Sequence, residues 1–256
     1  VSGRIIGFGG RTLRSDYKER NIGKYVNSPQ TEVYDKKTTL YGIYFAKSEI
    51  ARRDRCILVE GYLDVLSMHQ LGITNVVASS GTSLTVEQVS LIRKFTENVT
   101  IMYDGDAAGI HAAERGIGLC LKGGLNVRVV LIPDGDDPDS FARKHTLEEV
   151  KSFIEENERD FISYRTDQLI GDAGSDPVRR SNLVNEIAGT LALIPDQVKR
   201  AMYVQDVSLK FNIDESLVYS KINEAVRRCG RRKERRKCGV REPWRQDCIP
   251  PLKEVW

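Results

Sequence analysis

The sequence has no apolar run long enough to span a bilayer, and it does not open with a basic-then-apolar leader. A soluble, cytoplasmic protein without membrane contact is the expectation. Cysteines are few and odd in number: Cys56, Cys120, Cys229, Cys238 and Cys248. The first two fall inside apolar patterns, where cysteine is usually a small buried hydrophobe. The other three are spaced too widely for a paired-cysteine site, so neither a disulfide framework nor zinc is expected. His69, His111 and His145 lie on helix-like stretches without ligand spacing. No Ser-His-Asp or Cys-His arrangement stands out either.

With 256 residues the chain can bury a substantial core, which suits one α/β domain and a smaller appended piece. Its net charge of +3 conceals three regions. Residues 1–55 carry 12 Lys/Arg against 6 Asp/Glu, residues 56–226 carry 16 against 26, and residues 227–256 carry 11 against 4. Solvated surface charge accounts for such a split as readily as function does. A basic segment beside an acidic one also suits a polyanionic substrate, with Lys and Arg holding phosphates and carboxylates holding metal.

The first 40 residues are rich in Gly, Arg and Lys, with a strand-like run at Arg4–Phe8, and read as loop and edge structure. Strands and helices then alternate. A helix is expected within 40–53, a strand at 56–59, a helix at 62–71 stopped by Gly72, and a strand at 75–78. Thr85 with Gln88 is a capping-box signature for the next helix. A strand leads to Asp104, a helix spans 107–122, Gly123-Gly124 stops it, and a fourth strand runs 127–133. This alternation predicts a mainly parallel sheet flanked by helices. Beyond Asp139 the pattern turns helical, over 147–170, 178–193, 196–210 and 214–228, with starts marked by Asp176-Pro177 and Pro195-Asp196. The basic block from Gly230 to Lys237 lacks apolar periodicity, so disorder is expected from about residue 229.

Acidic residues stand where the strand-like runs end: Glu60 and Asp64 after 56–59, Asp104 and Asp106 after 99–103, Asp137 and Asp139 after 127–133. In an open parallel sheet the carboxyl ends of the strands share one edge, where ligands bind. Mg²⁺ prefers carboxylate and water oxygens and usually takes one or two protein carboxylates plus substrate phosphates. Two ions about 3.5–4 Å apart activate an attacking oxygen and neutralise a leaving group, which is phosphoryl- or nucleotidyl-transfer chemistry. Taken singly, each cluster has a plain alternative: Asp-Gly-Asp is a common turn, Asp137-Pro138-Asp139 a helix entry, Glu60 a solvated strand end.

Glu60-Gly61-Tyr62-Leu63-Asp64 followed by Asp104-Gly105-Asp106 resembles the Toprim signature, shared by primases, topoisomerases, nucleases and recombination proteins. Flanking words narrow the resemblance: residues 3–11 (GRIIGFGGR), 24–29 (KYVNSP), 40–43 (LYGI), 80–83 (SGTS) and 133–139 (PDGDDPD). Together they resemble the catalytic core of bacterial replicative primases of the DnaG type, over roughly residues 1–165. The resemblance implies an α/β fold. A Toprim, Rossmann-like sheet occupies 55–140, the remnant of an N-terminal α+β subdomain 1–54, and a helical subdomain 141–228, before the basic tail 229–256.

It further implies synthesis of short RNA primers from nucleoside triphosphates on single-stranded DNA. Glu60, Asp104 and Asp106 match the family's principal metal ligands, and Asp64, Asp137 and Asp139 its accessory acidic positions, for two or more Mg²⁺ or Mn²⁺ ions. Arg11, Lys24, Tyr25, Asn27, Ser28 and Lys36 match its nucleotide- and template-binding strip. The N-terminal zinc domain is missing, and the C-terminal domain that binds the replicative helicase is expected to be absent, a basic tail standing in its place. Together with the initial Val, this suggests a fragment. The alternatives are a Toprim nuclease or topoisomerase-like enzyme and a non-catalytic nucleic-acid-binding module.

Overall fold

The computed structural model describes residues 3–12, 25–79, 83–104, 107–133, 135–173 and 176–237. Side chains of Tyr25, Asp104, 107–113, 172–173 and 229–237 fall outside that description. The chain forms two compact units, one of residues 1–119 and 128–158, the other of residues 120–127 and 159–256.

The first unit opens with a two-stranded antiparallel ribbon, β1 (Gly9–Arg11) and β2 (Tyr25–Asn27), in which Gly9 faces Asn27 and Arg11 faces Tyr25. The strand-like run at Arg4–Phe8 is not a strand. Its large residues are solvent-facing, Ile5 at 78% and Phe8 at 76% exposure, and the partner strand decides which residues pair. Phe8 instead meets Ser28 through two bonds, its N–H donating to Ser28 Oγ (2.8 Å) and its carbonyl accepting from the Ser28 N–H (2.9 Å).

Next come α1 (Ile43–Arg53), β3 (Cys56–Val59), α2 (Tyr62–Leu71), β4 (Val76–Ala78), α3 (Val86–Arg93), β5 (Asn98–Asp104), α4 (Ala107–Lys122) and β6 (Asn126–Ile132). These follow the expected elements to within a few residues. In the sheet β4, β3, β5 and β6 are neighbours in that order, and β3 runs parallel to both β4 and β5. Every residue of β3 and β4 is buried, as in a parallel sheet covered on both faces. The core joins Ile57, Val59, Val65, Met68, Val130 and Ile132 to residues of the helices α5 (Pro138–Lys144) and α6 (Leu147–Asn157), notably Phe141, Val150 and Ile154. Full burial of such a side chain contributes about 1.5–3 kcal/mol. Gly72 closes α2 at φ 108°, a conformation costly for any residue with a Cβ.

The single helix expected over 147–170 is broken into α6 and α7 (Phe161–Ala173), with a two-residue strand β7 (Arg159–Asp160) between. The cause is Glu158, whose side chain is 5% exposed and is drawn between Arg128 (2.9 Å) and Arg55 (3.4 Å), accepting also from the Thr100 hydroxyl. Extended backbone at Glu158 (φ −68°, ψ 121°) allows this and stops the helix.

The second unit is helical. Helix α8 (Pro177–Leu191) packs against α7, α9 (Gln197–Phe211) and α10 (Glu215–Lys237), burying Leu191, Val204, Val207, Phe211, Val218 and Ile222. Asp176 and Asp196 cap α8 and α9 by accepting first-turn N–H groups, as their positions before the helices predict. Helix α10 continues to Lys237, which corrects the expectation of disorder from about 229. Arg, Lys and Glu are good helix formers, and a helix already nucleated propagates through them without an apolar face. Residues 238–256 of the basic tail lie outside the described residues.

Gln88 does more than complete the box at Thr85. Its buried side chain accepts the Thr85 N–H (3.1 Å) and donates to the carbonyls of Lys36 (3.1 Å) and Thr39 (2.7 Å), pinning a distant loop to α3. Gln88→Leu keeps the size but strands these partners, and is expected to lower unfolding free energy by about 2–3 kcal/mol in urea titration.

Candidate active site

Strand β3 stops at Val59, and the solvent-exposed Glu60 follows it directly. Leu58 pairs with Ile101 of β5, so Glu60, two residues on, stands level with Tyr103 and one step from Asp104, the last residue of β5. Parallel pairing therefore sends both acidic positions to the same carboxyl edge. The backbone of Asp104 is described but not its side chain; Asp106 lies outside the described residues, as do Gly105 and the 80–82 part of the Ser-Gly-Thr word.

Asp64 occupies the third position of α2 and is only 8% exposed. Its Oδ2 accepts the Gly61 N–H at 2.8 Å, satisfying a donor that the helix leaves orphaned and setting negative charge at the positive end of the dipole. Glycine has no side chain with which to reciprocate, so this is half a capping box.

The third acidic segment is also tied to its own helix. Asp137 is the N-cap of α5 and accepts the Ser140 N–H at 2.7 Å, while Pro138 takes the first helical position. Asp139 receives the Ser67 hydroxyl from α2 and the Arg143 guanidinium at 2.8 Å. Ser67 lies one turn beyond Asp64, so Asp139 is brought against the face of α2 that carries Asp64. Asp136 pairs with Lys144 (2.7 and 2.8 Å), and that ammonium holds its carboxyl below the usual range.

Glu60, Asp64, Asp137 and Asp139 do not converge as a cluster of three metal ligands among the described residues. Asp64, Asp137 and Asp139 are each bonded to backbone or side-chain donors. The donor chemistry still suits a hard divalent cation at the Glu60–Asp104 edge, since Mg²⁺ needs only one or two protein carboxylates.

On the basic strip, Arg11 is exposed on β1 and Lys36 is half-buried beside the loop that Gln88 holds. Lys24 lies outside the described residues. Asn27 and Ser28 follow Tyr25 and Val26 at the end of the ribbon. The Tyr62 hydroxyl donates to Asn27 Oδ1 at 2.8 Å, joining the strip to the first residue of α2. Tyr62 packs its ring edge-on to Tyr41 (centroids 4.6 Å). Burial first, and then Tyr62, raise the pKa of both Tyr34 and Tyr41. Sequence reading missed Tyr62, Ser67 and the long-range part of Gln88. Tyr62 stood inside the quoted Glu-Gly-Tyr-Leu-Asp word, the one local signal available.

A sheet that delivers Glu60 and Asp104 to one carboxyl edge, followed by a helix beginning at Tyr62, defines a Toprim-type α/β domain. Residues 57–142 match the family described as Toprim-like, residues 1–47 the N-terminal domain of the DNA primase catalytic core, and residues 162–216 the DnaB-helicase binding domain of primase. A DNA primase domain from Pseudomonas aeruginosa is 31% identical with a TM-score of 0.77, covering 86% of this chain and 68% of that one. The DnaG primase catalytic domain bound to ssDNA is 34% identical with a TM-score of 0.73, covering 84% of this chain and 68% of that one. The chain belongs to the bacterial DnaG-type DNA primase family. Among curated relatives, the DNA primase of Clostridium acetobutylicum is 38% identical over 230 residues, 89% of this chain, and the chain spans 37% of that relative's length.

The match at 162–216 overturns the expectation that a helicase-binding domain is absent. It falls on α7, α8 and α9, which had been read only as a generic helical subdomain. Amphipathic periodicity shows that a helix packs, not which partner its outer face meets.

Lys144→Ala is expected to raise the Asp136 pKa toward the ordinary carboxylate value, read by NMR titration of the carboxyl carbon. A lowered folded-state pKa stabilises above the unfolded value of about 3.9 and is lost as pH falls through the folded one. The stability gap between parent and variant therefore exists at neutral pH and closes on acidification below about pH 4.

Proposed function

We propose that this chain is the polymerising part of a DNA primase, a metal-dependent nucleotidyltransferase that makes short RNA primers on single-stranded DNA in the bacterial cytoplasm. The observation that carries this reading is the parallel register that sets Glu60 and Asp104 on one sheet edge, next to a basic ribbon, in a chain of the primase family.

Glu60, Asp104 and Asp106 are assigned as the principal ligands of Mg²⁺ or Mn²⁺, two or more ions in all. Bound there, the ions supply charge screening for the triphosphate and acidify the primer 3′-hydroxyl. Asp64 fixes the start of α2 and so the position of Glu60, while Asp137 and Asp139 hold α5 against α2. Their accessory role toward metal is exerted through this scaffold or through bridging water. Arg11, Lys24 and Lys36 meet phosphates of the incoming nucleotide and template-primer, Asn27 and Ser28 donate to sugar or phosphate oxygens, and Tyr25 stacks on a base. No protein general base is needed.

Helices α7 to α9 are proposed to contact the replicative helicase, in line with the family matched at 162–216.

Primer synthesis on a single-stranded template with labelled ribonucleotides and Mg²⁺ or Mn²⁺ tests the reading, ideally with the sequence placed in the full-length context of its relatives. RNA of primer length is expected from the parent, and Asp104→Asn is expected to lose at least a hundredfold of the rate while keeping its thermal midpoint. Nicking of DNA without RNA synthesis would instead favour a Toprim nuclease. Unchanged synthesis by Asp104→Asn would remove the metal assignment.

A further inference from the structure

Tyr62 sits two residues after Glu60 and reaches across to the basic ribbon, where its hydroxyl donates to Asn27 Oδ1 at 2.8 Å. The contact is tightly built. Gly9 faces Asn27 across the ribbon, and a Cβ at Gly9 would stand 3.1 Å from Tyr62 Cε2 and 3.2 Å from Asn27 Oδ1. Tyr41 supports the ring from one side at 4.6 Å between centroids and 75° between planes. The phenol is thus held at its ring by Tyr41 and at its oxygen by Asn27.

A carboxamide has one acceptor oxygen and two N–H donors, and an unrestrained Asn presents either edge. With Oδ1 turned to the phenol O–H, the carboxamide's orientation is fixed and its NH₂ edge faces away from Tyr62, toward whatever else the residue recognises. We infer that Tyr62 is a positioning residue that locks the Asn27 carboxamide as a hydrogen-bond donor toward an anionic or hydroxyl oxygen of the nucleotide, and ties the ribbon to the Glu60 loop. The inference rests on the nucleotide role proposed for the strip and adds its polarity: Asn27 accepts from Tyr62 and donates to the nucleotide. Because Tyr62 and Glu60 share one short turn, the binding strip and the acidic edge keep a fixed separation.

Equilibrium binding of radiolabelled ATP with Mg²⁺ to the 256-residue chain and its variants is the test. Tyr62→Phe keeps the ring against Tyr41 and removes only the hydroxyl; it is expected to weaken ATP binding about five- to tenfold with the thermal midpoint nearly unchanged. Asn27→Ala is expected to weaken it by a similar factor, and the double variant Tyr62→Phe/Asn27→Ala by no more than Asn27→Ala alone. Asn27→Asp, which keeps an acceptor for Tyr62 but has no N–H to give, is expected to bind at least as poorly as Asn27→Ala. In primer synthesis the Tyr62→Phe loss appears in KM for the ribonucleotide, with kcat within about twofold. Parent-like ATP binding by Tyr62→Phe, losses that multiply in the double variant, or full binding by Asn27→Asp would each overturn the inference while leaving the primase reading intact. A parent chain that binds no ATP removes the nucleotide role of the strip and this inference with it.

Discussion

The register of β3 against β5 is the constraint on which the rest depends. Leu58 pairs with Ile101, and with a rise of about 3.3 Å per residue that pairing alone sets Glu60 within a step of Asp104 along the sheet edge. A slip of one residue would turn every side chain of β3 over and carry Arg55 or Glu60 into a stretch that is wholly buried. The apolar core therefore specifies the acidic edge: Ile57, Val59 and Met102 fix the register, and the carboxylates follow from it. Asp64, bonded to the Gly61 N–H, then fixes where α2 starts, and Asp139, bonded to Ser67, brings α5 against that helix.

Acidic residues near helix starts have two uses, and a sequence shows both alike. Asp137-Pro138-Asp139 reads equally as metal ligand and as helix entry; here Asp137 caps α5 and Asp139 bonds Ser67 and Arg143. Asp64 is likewise a capping group as well as a member of the Glu-Gly-Tyr-Leu-Asp word. Both uses draw on the same charge, so these residues shape the field at the sheet edge even while they hold the scaffold.

Legibility in the sequence followed the range of the interaction. Strands β3 and β5 and helices α2 and α3 announce themselves, because a fully buried strand is a short apolar run and a helix carries its own cap and stop, as Gly72 and Thr85 show. Short β2 escaped because its identity lies in pairing with Gly9–Arg11. The break between α6 and α7 escaped because its cause, Glu158 between Arg55 and Arg128, joins residues far apart in the chain. Helix α5 was visible only as the helix-entry reading of Asp137-Pro138-Asp139, and the end of α10 was hidden by a charge density that local rules read as disorder. At the site, the strand-end carboxylates were visible as residue types, whereas the Tyr62–Asn27 bond and the hold of Gln88 on the Lys36 loop span 35 and 52 residues.

The central claim is that the edge shared by β3 and β5 binds divalent metal. Anomalous diffraction from crystals grown with Mn²⁺ and ATP tests it directly. Manganese peaks at coordination distance from the carboxylates of Glu60 and Asp104 are the predicted result. Ordered Mn²⁺ elsewhere on the chain, with both of these carboxylates bare, would contradict it.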